Sequence, residues 1–86
     1  MDTSTVTIDG IPAVRYQTPK GPVTVVNICD LDLDSDWDQS CEQLKYWCQQ
    51  AKASYYAAPK EYFSLNAAIA RALSEGKSVV VVEDLS

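Results

Sequence analysis

Hydrophobic and polar positions along this chain change period twice, and the changes mark its elements. Thr-Ser-Thr-Val-Thr-Ile at residues 3–8 is β-branched and alternating, as expected of a half-exposed strand. Asp9-Gly10 follows as a strong two-residue hairpin signal, which predicts a return strand over residues 11–17. Within it Val14 and Tyr16 share one face, and Ala13 and Arg15 the other. Pro12 has no N–H to give a ladder and suits only an edge or a strand start. Thr18-Pro19-Lys20-Gly21 predicts a second turn, with proline fixing φ and glycine supplying a positive φ, and leads into a third strand over residues 22–29. Val25 and Val26 are adjacent, so this strand is either buried on both faces or bent by a bulge.

From Trp37 the period is helical. Trp37, Cys41, Leu44, Cys48 and Ala51 recur at steps of four and three, a stripe expected to face a sheet. Ser35 is the expected N-cap, with Asp38 completing an approximate capping box and Asp34 as a competing cap, and the helix should stop near Ala53 or Ser54. Residues 55–63 form an aromatic-rich connection in which Pro59 prevents one helix from carrying through. A second helix should start near Ser64, turn Leu65, Ala68, Ile69, Ala72 and Leu73 inward, and end at Gly76. Val79–Val82 is wholly apolar and short, which suits an interior strand. The expected architecture is one α+β domain over residues 1–86, ordered β-β-β-α-α-β. It comprises an antiparallel meander and a C-terminal strand, with both helices packed on one sheet face.

Composition agrees with a packed domain: 47% of the 86 residues are apolar and 22% charged. Met1 to Val6 has neither a basic nor an apolar leader pattern, and no apolar run approaches membrane-span length. Three cysteines, Cys29, Cys41 and Cys48, with no CxxC spacing, are unlike a disulfide framework and read first as small buried hydrophobes. A cytoplasmic protein without membrane contact is expected.

Charge is what singles out one region. The net charge is −5, and six of the twelve carboxylates (Asp30, Asp32, Asp34, Asp36, Asp38 and Glu42) lie within residues 28–43, where there is no Lys or Arg. The remaining six acids face seven bases that are scattered singly, so direct nucleic-acid binding is disfavoured. Asp34, Asp36 and Asp38 suit a helix start, where each would contribute about 0.3–1 kcal/mol. Asp30 and Asp32 alternate with Leu31 and Leu33, as in an extended segment with its leucines inward. An EF-hand alignment from Asp30 fails, with Ser35 where glycine is needed and Cys41 where the bidentate glutamate is needed. A weak divalent-cation site at Asp30, Asp32 and Asp34, or a small-molecule module, stays open as a minor alternative, but no metal or cofactor is assigned.

Aromatic residues crowd the same half. Seven of the eight fall between Trp37 and Phe63, with Tyr16 alone outside. Beside the acids they suggest a patch with an apolar centre and a charged rim, which takes Asp30, Asp32, Asp34, Asp36, Asp38 and Glu42 as partner-binding acids. Trp47, Tyr55 and Tyr56 are its anchors. Such a row of carboxylates imitates phosphates before a basic, nucleic-acid-binding groove. Catalysis is not expected: there is no histidine, no base to activate a cysteine, and no phosphate-cradling glycine loop. By profile the chain resembles the small phage-encoded inhibitors, anti-CRISPR proteins among them, that block host nucleic-acid enzymes. The acidic edge itself leads to the expected function, a protein-binding inhibitor or adaptor that meets a basic surface of a partner protein. The alternative is a structural or homodimeric protein that associates through the aromatic connection and an exposed strand edge.

Overall fold

The computed structural model describes residues 2–33 and 35–83. Strands β1 (Thr3–Ile8), β2 (Ile11–Thr18) and β3 (Gly21–Asn27) form the expected antiparallel meander. Asp9 and Gly10 turn the first hairpin with φ of 52° and 80°, the two positive values that a tight turn between right-twisted strands requires. Pro12 stands opposite Thr7, beyond the end of the β2–β3 ladder, so its missing N–H leaves no gap. β3 is buried on both faces and runs in unbroken register with β2, which removes the bulge alternative.

Helix α1 (Trp37–Ala51) ends at Lys52, which adopts the left-handed conformation at φ 53°. The chain then enters strand β4 (Ala53–Tyr56), passes through helix α2 (Leu65–Ser74) and finishes in β5 (Val79–Val82). The order is therefore β-β-β-α-β-α-β. Residues 53–56, expected as the tail of a helix and the start of a loop, are instead an edge strand parallel to β5. The sheet reads β1-β2-β3-β5-β4, with β5 interior and parallel to both neighbours.

That order also corrects the expectation of two helices on one face. From β3 the chain crosses over β5 to reach β4 and then returns to fill the gap, so two right-handed crossovers moving in opposite directions place their helices on opposite faces. The alternating valines of β5 record it. Val80 and Val82 pack with Val23 and with Ala68, Ile69 and Ala72 of α2. Val81 packs with Val26, Ala53 and Leu31, in the cluster that takes Leu44, Trp47 and Ala51 of α1. The result is an α+β domain of three layers.

Both helix ends of α2 follow the sequence closely. The Ser64 hydroxyl accepts from the Ala67 N–H at 3.2 Å, and Gly76 takes φ 70° just past the end. Three small or branched residues, Ala68, Ile69 and Ala72, make its buried stripe and allow a close approach to the sheet.

Candidate functional site

The acidic segment is built as a strap that leads from the sheet into α1. The Asn27 side chain accepts from the Cys29 N–H at 2.9 Å and opens a short 3-10 turn over Ile28–Asp30. The Leu31 N–H returns to the Ile28 carbonyl at 3.1 Å. Leu31 then turns under the sheet and is buried, Leu33 is half-buried in the same cluster, and Asp30 and Asp32 are exposed between them. The leucines thus anchor the strap and the carboxylates face water.

Asp36, not Ser35, caps α1: its carboxylate accepts from the Gln39 N–H at 3.1 Å. Asp38 lies in the first turn and Glu42 one turn further along, both exposed. Asp34, expected as a competing cap, a cation ligand and a partner contact, lies outside the described residues.

Trp37 is the largest departure from the helical stripe. It was expected to face the sheet and is 72% exposed. Below it Cys41, Leu44 and Cys48 line one wall of an apolar groove of about 440 Å³, and Ile28 and Leu33 line the other. Tyr55 reaches this groove from β4, and its hydroxyl donates to the Glu83 carboxylate at 2.5 Å. Burial, and then that hydrogen bond, push the Tyr55 phenol well above its ordinary pKa. Burial likewise raises the Cys48 thiol, against a smaller opposing pull from Lys77, which keeps it protonated and unreactive. Cys29, expected as buried, is exposed.

The expected partner-binding acids do not gather at the groove. Asp30, Asp32, Asp36, Asp38 and Glu42 are exposed, but Asp30 lines a trough on the α2 face and Asp38 and Glu42 line a shallow hollow on α1, whereas Glu83 is half-buried in the groove wall. Lys45 also lines the groove, and its 3.9 Å approach to Glu42 is between two largely solvated side chains, which contributes little. Of the aromatic anchors expected from sequence, Tyr55 lies in the groove and Trp47 packs into the α1-face cluster. Tyr56 lies on the opposite face, edge-on to Phe63 with ring centroids 6.1 Å apart. Trp37 was not among those anchors, although its position between two aspartates was a poor setting for a core residue. Among the described residues no three His, Cys, Asp or Glu side chains converge as a metal site. No helix there is long and apolar enough to cross a membrane.

Comparison with known proteins found no matching family, curated protein or solved structure. The fold and the groove therefore define a class in physical terms only: a small three-layer α+β domain with an apolar groove and a row of exposed acids along the strap and the start of α1.

Proposed function

We propose that this protein is a small acidic interaction module, an inhibitor or adaptor, that docks on a basic surface of a partner protein, including one that otherwise binds nucleic acid. The observation that supports it most is Trp37, 72% exposed between Asp36 and Asp38 at the mouth of the apolar groove. A large ring held in water has much apolar area to remove from it on binding, and tryptophan is the residue type most enriched where interfaces concentrate their energy. The surrounding carboxylates supply long-range attraction, orientation and rejection of acidic partners more than affinity. Among the described residues no activated nucleophile accompanies them, which favours binding over catalysis.

The test uses three baits on lysate of the native host: the wild-type protein, Trp37→Ala, and the triple variant Asp30→Asn, Asp32→Asn, Asp38→Asn. The triple variant leaves the Asp36 cap in place. A partner retained by the wild type should bind Trp37→Ala about tenfold or more weakly, corresponding to about 1.4 kcal/mol. The triple variant should lose most of the salt dependence of binding. Equal affinity of one partner for all three baits sinks the proposal.

A further inference from the structure

The two edges of the sheet are treated differently. β4, at one edge, has only four residues, packs against both helices, and has its Ala53 carbonyl covered by Lys77 Nζ at 3.3 Å. Short length, flanking helices and a lysine are the usual means of preventing strand addition. β1, at the other edge, has six residues with no charge, no proline and no break in its register with β2. Among the described residues no strand pairs with its outer side.

The phase of the β1–β2 ladder identifies the groups left over. The Gln17 N–H donates to the Asp2 carbonyl at 3.0 Å, so Asp2 and Gln17 bond to each other. Pairs in an antiparallel ladder alternate between bonded and non-bonded, so Ser4, Val6 and Ile8 direct their N–H and C=O groups toward β2, while those of Thr3, Thr5 and Thr7 point outward. Pro12, opposite Thr7, agrees with that phase because it has no N–H to donate there. The outward groups thus sit on three threonines spaced two apart, whose side chains share one sheet face.

We infer that this edge binds a second copy of the same chain, β1 against β1 in antiparallel register, with the twofold axis at Thr5. That register places Thr5 opposite Thr5 and Thr3 opposite Thr7, and it forms about six main-chain hydrogen bonds. Shifting the axis to Ser4 or Val6 leaves only about four. Every bonded pair is Thr–Thr, a favourable cross-strand combination. Asp2 falls opposite Ile8 of the other copy, one residue from that copy's Asp9, a like-charge approach at each end of the pairing, while the two Asp2 side chains lie at opposite ends. On the α2 face the helix covers β3, β5 and β4, which leaves Thr5, Val14 and Tyr16 along an open trough of about 400 Å³. The twofold sets the troughs of the two copies side by side beneath the extended sheet.

Sedimentation equilibrium over a hundredfold concentration range, with amide exchange read by NMR, tests the pairing on the full chain. Wild type should pass from monomer to dimer, and the Thr3, Thr5 and Thr7 amides should gain protection as concentration rises while those of Ser4, Val6 and Ile8 stay protected throughout. Thr5→Pro removes an outward N–H that β2 does not use, and Thr5→Lys sets two like charges across the axis; each should shift the dissociation constant at least tenfold toward monomer. Thr5→Lys keeps a normal backbone, so it decides the matter where the proline variant fails to fold. A wild type monomeric at every concentration overturns the inference. So does a dimer that Thr5→Lys leaves intact, or one in which the three threonine amides gain no protection. None of these readouts involves Trp37 or the acidic strap, so they stand or fall independently of partner docking.

Discussion

The two ends of the sheet show how differently one small chain can finish its strands. At the β3-β5-β4 end, both faces are covered by helices, the interior strand is four valines, and Val80 and Val81 are fully buried. At the β1-β2 end, the strap carrying Leu31 and Leu33 covers one face, while the other is open enough to leave Val14 36% exposed. Parallel pairing needs a helix crossover and so brings its own cover, whereas a hairpin needs only a two-residue turn. The difference teaches that stability is concentrated at the clad end and surface for association at the bare one.

A matched pair of substitutions gives the largest effect and would break this contrast most directly. Val81→Ala at the clad end should cost about 2–3 kcal/mol by chemical denaturation, and Val14→Ala at the bare end about 0.5 kcal/mol or less. Similar losses at both would show that the helices do not concentrate stability as described. Next comes the lysine over the β4 edge. Lys77→Met retains the aliphatic stem but loses the bond to the Ala53 carbonyl, and should lower stability by about 0.5–1 kcal/mol. It should also increase concentration-dependent association through β4, visible by light scattering.

The smallest effect sharpens the comparison through pH. Tyr55 ties the edge strand β4 to Glu83 just past β5, and its phenol is held above the ordinary value near 10, first by burial and then by that carboxylate. A group whose folded pKa is raised contributes fully below its unfolded pKa and loses that contribution as pH rises through the folded one. Stability of the wild type should therefore fall as pH rises above about 10, and Tyr55→Phe should flatten that fall. Thermal melts of both proteins across the alkaline range check this; parallel curves would show that Tyr55 does not couple the edge strand to pH.

The site was only partly legible in the sequence. The alternation of Asp30 and Asp32 with Leu31 and Leu33 gave the strap its inward and outward sides, because a two-residue period has one solution once a core lies beneath it. The cap was misplaced by one residue since Ser35, Asp36 and their neighbours are all good caps, and the choice among them depends on where the helix axis must point to reach the sheet. Trp37 continued a faultless helical stripe, yet periodicity says which residues share a face and nothing about how far the sheet extends under it. The lower part of the stripe, with Leu44, Cys48 and Ala51, packs on the sheet, while Trp37, Cys41 and Cys48 line the groove.

Local chemistry in the chain determined the hairpin at Asp9-Gly10, the start of α2 at Ser64, its end at Gly76 and the buried valine strand, since each rests on a turn, a cap or a short apolar run. Tertiary structure decided β4. Ala-Ser-Tyr-Tyr has no strand period of its own, and its stop signal is Lys52 in a left-handed conformation usually left to glycine or asparagine. It is a strand because β5 offers it a parallel edge, and once it lies outside β5 the handedness of the two crossovers sends the helices to opposite faces. Pairing between residues more than twenty positions apart leaves no mark on either segment, so only the folded chain could show it.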